Sequence, residues 1–280
     1  PYNNTLERND MSEAGRIICW FSCGAASAVA AKLVLQSNDE RKSDREIIIA
    51  RNWIAEEHLD NDRMQADCEE WLGHKIIHVA NEKYHGSVFE VQDAVKFIKH
   101  PRGGAPCTLW LKKEARKQFQ RPGDIHVFGL HVGEEDRVDQ FLDDEPSVKV
   151  WLPLIERGIT KLECHQMLMD AGIEMAAMYR LGYNNNNCIG CVKGGMGYWN
   201  KIRRDFPEAF DRMAKQERKL GYAICKTEAG SKNRDGRPVF LDELRPNQGR
   251  KYKDEPPIKC GIICEGLTPP TTNTPNTMKE

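Results

Sequence analysis

The chain has 280 residues, of which 40% are hydrophobic, so it can bury a substantial core. Its 41 basic and 42 acidic residues leave a formal net charge of -1, which argues against a broad nucleic-acid-binding surface. Segments 200–206 and 245–253 are candidates for a local basic patch. No apolar run approaches the roughly 18 residues of a membrane helix, and the polar N-terminal stretch lacks the apolar segment of a secretion signal. We therefore predict a cytoplasmic protein without a membrane partner.

Short apolar runs alternate with helical patterns in the first half of the chain. The runs predict strands over 16–21, 46–51, 75–80, 124–130 and 148–155. The segments between them predict helices over 25–37, 60–73 and 108–120. Continuous β-branched runs are typical of strands in parallel sheets. The alternation therefore predicts an α/β fold with a mainly parallel sheet flanked by helices.

The pattern changes after residue 157. Helices are predicted over 160–172 and 199–221, and residues 222–264 show little regular pattern. Both ends of the chain are polar, and the last stretch is rich in Pro, Thr and Asn, which is typical of disorder. Four segments are thus expected: a disordered N-terminus, an α/β domain, a helical and irregular part with cysteine pairs, and a disordered tail, over 1–15, 16–157, 158–264 and 265–280.

The first predicted strand stops at a run of small residues, and a helix follows at once. The run consists of Ser22, Cys23, Gly24, Ala25, Ala26 and Ser27. A strand that turns directly into a helix presents backbone N–H groups with partial positive charge, and small residues let a phosphate approach them. The pattern S-x-G-x-x-S therefore predicts a phosphate cradle, although it lacks the Gly-Lys-Ser/Thr ending of a Walker A loop. A tight turn made for packing is the alternative.

Two cysteine pairs indicate a metal centre. Cys188 and Cys191 form a C-x-x-C in an Asn/Gly-rich loop, and Cys260 and Cys264 form a second pair. Four thiolates suit tetrahedral zinc or a [4Fe–4S] cluster, and Cys107 is a replacement ligand. Unligated cysteines and a redox C-x-x-C are the alternatives.

Several polar side chains have two interpretations each. Lys112 and Arg137 either grip phosphate or belong to solvated surfaces with ion pairs. Asp60 and Arg63 either line a site after the second strand or, for Asp60, cap a helix. The aromatic pair at 198–199 either stacks on a base or packs in a helix core.

The run 22–27 resembles the PP-loop, S-G-G-x-D-S, of the adenine nucleotide α-hydrolase superfamily, which includes the N-type ATP pyrophosphatases and the phosphoadenosine phosphosulfate (PAPS) reductases. Ser22, Gly24 and Ser27 match that motif, whereas Cys23 replaces a glycine and Ala26 replaces the aspartate. The missing aspartate is a departure that bears on how Mg²⁺ and ATP are handled.

Other segments resemble the PAPS-reductase-like branch of that superfamily, which includes phage and bacterial members. They follow in the expected order at 56–73, 104–119, 129–141 and 151–173, and their sequences include "APCTLWLKK" and "GLHVGEEDR". The resemblance implies a Rossmann-like nucleotide-binding domain. It also implies that the run 22–27, with Asp60, Arg63, Lys112, Gly129 and Arg137, binds ATP or PAPS, with Mg²⁺ as a further expected ion.

The resemblance favours an enzyme that adenylates a substrate from ATP for sulfur or nitrogen transfer. The expected acceptor is a tRNA or DNA base, and the expected partner is a sulfur donor or reductant protein. Sulfur-transfer members often carry clusters, so [4Fe–4S] is favoured over zinc. A PAPS reductase is an alternative, but its Glu-Cys-Gly-Leu-His motif is reduced here to Cys260-Gly261. A non-catalytic nucleotide-binding module is the third hypothesis.

Overall fold

The computed structural model describes residues 15–41, 45–100, 104–227 and 236–258. Cys260 and Cys264 lie outside these residues, as do both ends predicted to be disordered, apart from Gly15. Five strands form the main sheet: β1 (Ile17–Phe21), β2 (Ile47–Asn52), β3 (Ile76–Val79), β4 (Ile125–Phe128) and β5 (Lys149–Trp151). Their order is β3-β2-β1-β4-β5, and every pairing is parallel. The predicted fold class is confirmed.

The helices up to residue 170 follow or connect these strands: α1 (Ala25–Arg41), α2 (Asp60–Leu72), α3 (Val88–Val95), α4 (Glu114–Phe119), α5 (Glu135–Asp144), α6 (Pro153–Glu156) and α7 (Lys161–Asp170). The later elements are α8 (Ala177–Arg180), α9 (Met196–Asp205), α10 (Pro207–Leu220) and the short antiparallel strands β6 (Cys225–Lys226) and β7 (Pro238–Val239). A π-helical stretch, Thr108–Lys113, precedes α4.

The central strand shows why helices cover both faces of the sheet. Side chains alternate along a strand, and every residue of β1 is buried. Ile17, Cys19 and Phe21 join a core with residues of α1, α2 and α7. Ile18 and Trp20 join a second core with residues of α4 and α5 on the opposite face. The uninterrupted apolar run is therefore the consequence of burial on both sides.

Two predicted elements are interrupted by proline. The helix predicted over 199–221 is in fact α9 and α10, which are separated by Phe206 with φ -142° and ψ 66°. Pro207 is the cause, since it lacks an N–H group and disfavours helical geometry in the residue before it. The strand predicted over 148–155 ends at Trp151, because Pro153 begins α6.

The region after α7 has an aromatic core of its own. Tyr198 and Trp199 are buried there, so the core interpretation of this pair is confirmed and neither ring is available to stack on a base. The buried carboxylate of Glu217 accepts hydrogen bonds from the N–H groups of Ile224 and Leu241, both at 2.6 Å. It thereby ties α10 to the segments next to β6 and β7.

The boundary predicted at residue 157 stays a prediction. Beyond it, Cys164 and Leu168 of α7 pack with α1 in one core of the sheet. None of the helices in the described residues combines the length and apolar character needed to cross a membrane.

Candidate functional site

A cavity of about 390 Å³ opens beside the segments that follow β1 and β4. The strand order reverses between these two strands, and open α/β sheets bind ligands at that position. Most of the predicted nucleotide-binding residues line the cavity: Ser22, Gly24, Ala25, Ala26, Ser27, Lys112, Gly129 and Arg137. Cys23, Asp60 and Arg63 are not part of its lining. The fold thus brings together side chains that are far apart in the sequence.

The loop after β1 is organised by its two serines. The Ser27 hydroxyl oxygen accepts a hydrogen bond from the Ser22 N–H group at 3.1 Å and donates one to the Gly24 carbonyl at 2.9 Å. The two serine hydroxyl oxygens lie 3.2 Å apart. Because α1 begins at Ala25, its first N–H groups have no partner within the helix and carry partial positive charge. The loop therefore offers hydroxyl and N–H donors to an anion.

Gly129 is required by close packing. A Cβ atom on it would lie 2.5 Å from the backbone nitrogen of Ser27 and 2.8 Å from the carbonyl carbon of Ala26. The end of β4 therefore meets the first turn of α1, and a side chain would push them apart. A Cβ atom on Gly24 would meet the Ser22 and Tyr179 hydroxyl oxygens only at ordinary contact distances, 3.5 and 3.6 Å.

Cys23 faces away from the cavity. Its φ of 52° lies in the left-handed region, where glycine is favoured. Its side chain is fully buried, and its thiol points to the Asn61 carbonyl at 3.7 Å. Burial, reinforced by the negative charge of Glu57, raises the pKa of the Cys23 thiol well above its ordinary value. The thiol therefore stays protonated and is not a nucleophile facing the cavity.

Cationic side chains from three elements face the cavity: Lys112 before α4, Arg137 on α5 and Lys161 on α7. Arg137 forms an ion pair with Glu134, which also lines the cavity. Arg137 therefore both forms an ion pair and lines the cavity. Burial lowers the pKa of Lys161, and the nearby negative charge of Glu134 opposes that shift.

His165 and Tyr179 stand beside Lys161. Their ring centroids are 5.2 Å apart and their planes are nearly perpendicular. The buried Nε2 atom of His165 has no hydrogen-bond partner among the described residues. Burial, and then the positive charge of Lys161, lower the pKa of His165. The cavity wall therefore carries a neutral imidazole at pH 7.

Asp60 and Arg63 lie outside the cavity lining and form an ion pair with each other. The Asp60 carboxylate accepts hydrogen bonds from Arg63 Nε at 2.8 Å and from the Ala177 N–H group at 2.7 Å. The bond from Arg63 is the largest cause that lowers the pKa of Asp60 to about 2. Ala177 is the first residue of α8, so Asp60 caps α8, whereas Leu59 holds the N-cap position of its own helix. The pair ties α2 to α8.

Two aromatic side chains also belong to the cavity lining. Trp20 and Phe128 are buried and line the cavity from the carboxyl-terminal ends of β1 and β4. Asn52, the last residue of β2, lies in the same lining and is 8% exposed. Neither the nitrogen nor the oxygen of its amide has a hydrogen-bond partner among the described residues.

A run of three asparagines, Asn185, Asn186 and Asn187, also lines the cavity. Asn186 donates hydrogen bonds to the Cys23 carbonyl at 2.8 Å and to the Asn61 side-chain oxygen at 2.7 Å. Asn185 and Asn187 both donate to the Ile258 carbonyl, at 3.1 and 3.3 Å. The run therefore fixes the chain around residue 258 against the loop after β1.

The cysteines predicted to bind metal are only partly described. Cys188 lines the cavity, and Cys191 is buried in the neighbouring core. Cys107 packs against that core and also against a smaller one that Cys188 contacts. Over the described ranges, no group of three or more His, Cys, Asp or Glu side chains is arranged to hold one metal ion. The other two cysteines of the predicted centre, Cys260 and Cys264, lie outside the described residues.

Sequence reasoning missed the residues that complete the cavity, namely Asn52, Lys161, His165, Tyr179 and the asparagine run. A signal existed for the first three. Asn52 directly follows the strand predicted over 46–51, so the rule that ligands lie at the carboxyl edge of the sheet covers it. Lys161 and His165 are four residues apart and share one face of a predicted helix.

No protein-family model matches the sequence, and no curated protein matches it. Among solved structures, one similar chain is the U34-tRNA thiolase NcsA from Methanococcus maripaludis with its [4Fe-4S] cluster. The TM-score is 0.39 and the identity is 14%, over 78% of this chain and 75% of that chain.

Proposed function

We propose that this chain is a PP-loop enzyme that binds ATP in the cavity and acts at the α-phosphate of the nucleotide. The observation that carries the proposal is the mixed character of the cavity lining. The lining combines hydroxyls, helix N–H groups and cations with two buried aromatic rings. A nucleotide likewise combines anionic phosphates with a flat base. The volume of about 390 Å³ is in the range of small-molecule sites.

In this proposal the loop holds the phosphates. The Ser22 hydroxyl and the first N–H groups of α1, including that of Ser27, donate hydrogen bonds, and Lys112 and Arg137 supply positive charge. Ala26 leaves the loop without the carboxylate of the PP-loop motif, and the lining carboxylates Glu57 and Glu134 are ion-paired with arginines. Mg²⁺ would therefore be held chiefly through the phosphates themselves.

The proposed reaction uses ATP to make a poor leaving oxygen into a good one. An oxygen of the acceptor attacks the α-phosphorus, the bond to the bridging oxygen breaks, and pyrophosphate leaves. A sulfide or nitrogen nucleophile then bonds to the acceptor carbon and loses a proton, and AMP departs with the oxygen. A tRNA or DNA base with a carbonyl group is the acceptor class that fits this chemistry.

We also propose that Cys188, Cys191, Cys260 and Cys264 hold a [4Fe–4S] cluster that serves the sulfur step. Two described features support this. Cys188 lines the cavity, and the carbonyl of Ile258, two residues before Cys260, is hydrogen-bonded by Asn185 and Asn187. The described chain therefore ends, at Ile258, in contact with the loop that carries the first cysteine pair. Zinc in the same four-thiolate site is the alternative.

Calorimetric titration of the anaerobically purified chain with Mg–ATP and with PAPS tests the nucleotide proposal. We expect tight ATP binding and weak PAPS binding. Ser22→Leu should abolish ATP binding, because Ser22 is exposed within the cavity and the larger side chain fills the cradle without entering a core. Ser147→Leu is the matched control in an exposed turn, and it should bind ATP like the unmodified chain.

The same titration separates the alternatives. Tight PAPS binding with weak ATP binding would favour a PAPS reductase and direct attention to Cys260. ATP binding without pyrophosphate release in the presence of a tRNA or DNA acceptor and a sulfur donor would favour a nucleotide-binding module. Binding of neither nucleotide would contradict the proposed function.

Metal and sulfide analysis tests the cluster. Iron and acid-labile sulfide should be present in the anaerobic protein and lost in Cys188→Ser. Cys164→Ala is the control, because Cys164 is buried in the sheet core on α7. Unchanged metal content in Cys188→Ser would refute the four-cysteine site, and zinc without sulfide would select the alternative metal.

A further inference from the structure

The cavity lining contains a polar group that the proposed function does not use. Asn52 is 8% exposed, and both atoms of its amide lack hydrogen-bond partners among the described residues. A buried amide without partners is unfavourable, because it has lost its bonds to water and gained none. Such a group in a ligand cavity indicates a partner that arrives with the ligand.

The other residues of the cavity lining restrict what that partner can be. Trp20 and Phe128 belong to the same core beside the sheet and line the cavity with Asn52. Two buried aromatic rings and one amide suit a flat, mostly apolar molecule with a hydrogen-bonding edge. The charged groups that would suit a sugar or a second phosphate, Arg137 and Lys161, come from α5 and α7.

We infer that Asn52 reads the base of the bound nucleotide and selects adenine. This inference rests on the proposed function and adds the residue that determines base specificity. Adenine presents an amino donor next to a ring-nitrogen acceptor on both of its edges. An asparagine amide, with one acceptor and one donor group, pairs with such an edge through two hydrogen bonds. The amide reaches the base by a side-chain rotation, which is a common change when ligands bind.

Two substitutions at this position are expected to change nucleotide affinity in different ways. Asn52→Leu keeps a similar size and removes both hydrogen bonds, so ATP affinity should fall at least tenfold and GTP should gain nothing. Asn52→Asp offers only acceptors. They match the adjacent N1–H and amino donors of guanine and repel the ring nitrogens of adenine. The ratio of ATP affinity to GTP affinity should therefore fall at least tenfold and move toward GTP.

Gln92→Leu is the matched control. Gln92 is another fully buried amide whose nitrogen and oxygen have no partners among the described residues, but it lies on α3 outside the cavity lining. Its replacement should leave the ATP-to-GTP ratio unchanged. Thermal unfolding of each variant shows whether it is folded, and Asn52→Leu should melt no lower than the unmodified chain, since it removes a buried amide without partners.

Calorimetry with ATP and GTP distinguishes failure of the inference about Asn52 from failure of the proposed function. If the unmodified chain binds ATP and both Asn52 variants keep its affinity and base preference, the inference is overturned and the proposed function stands. If the unmodified chain binds neither nucleotide, both fail. A lower ATP affinity in Asn52→Leu, together with a shift toward GTP in Asn52→Asp but not in Gln92→Leu, supports the inference.

Discussion

The two halves of the molecule are stabilised in different ways. The sheet half is held by regular elements: β1 is central and buried, and helices pack on both of its faces. The half after α7 has little regular sheet and depends on single polar side chains that bind distant backbone. Glu217 accepts from Ile224 and Leu241, and Arg203 donates to the Leu244 carbonyl at 2.6 Å. The cavity is lined by residues of both parts. Its lining therefore combines regular strands and helices with segments that are held by individual hydrogen bonds.

The largest effect on stability is expected at Glu217, whose side chain connects segments that no sheet or helix connects. Glu217→Ala leaves two buried N–H groups without acceptors, and each unsatisfied group costs about 1–3 kcal/mol. We expect the free energy of unfolding to fall by on the order of 3 kcal/mol in denaturant titrations. Hydrogen exchange should increase in the half after α7 more than in β1.

Glu208→Ala is the control for this prediction. Glu208 is an exposed carboxylate in the first turn of the same helix, so its loss should change stability by at most about 0.5 kcal/mol. Equal stability of the two variants would contradict the view that Glu217 holds this half together.

The sheet half is expected to show a pH dependence from a buried histidine. Burial lowers the pKa of His126 to about 4, and its Nδ1 accepts a hydrogen bond from the Trp20 indole at 2.9 Å. The unfolded chain binds this proton below pH about 6.5, so the stabilising contribution is complete above that pH and is lost toward pH 4. From pH 7.5 to pH 5 the loss should be about 2 kcal/mol.

His126→Gln keeps a hydrogen-bond acceptor and removes the titration. The difference between the two pH profiles isolates His126, because other groups titrate in both proteins. Among these is Glu217, whose pKa burial raises to about 7, so that its own contribution decreases as the pH rises from about 4.5 to 7. Parallel profiles for the two proteins would show that His126 is not the group responsible.

The smallest effect is expected in the loop itself. Cys23→Gly relieves a left-handed conformation that is unfavourable for a side chain, and this gain offsets the lost packing of the thiol. The unfolding free energy should change by less than about 1 kcal/mol. Cys19→Gly, at a buried position in β1, should cost several times more. Similar losses of unfolding free energy in both variants would contradict the view that the left-handed backbone at Cys23 is unfavourable for a side chain.

The same contrast explains what could be predicted from the sequence. The strands, the parallel sheet and the loop at 22–27 follow from apolar runs and small residues, so they were predictable. The partners of Asp60 were not, because its contact with Ala177 depends on how α2 meets α8. Trp199 illustrates the opposite case, since its helical spacing favoured the core and the structure places it there. Asn52 carried a signal only through its position at a strand end, since its lack of partners is a property of the folded cavity.

The most direct test of the central claim is a crystal structure of the chain with the non-hydrolysable analogue α,β-methylene ATP. The account predicts that its phosphates lie on the loop at 22–27 and that its base lies against Trp20 and Phe128, with the Asn52 amide at its edge. A nucleotide bound elsewhere on the chain, with this cavity empty, would contradict it.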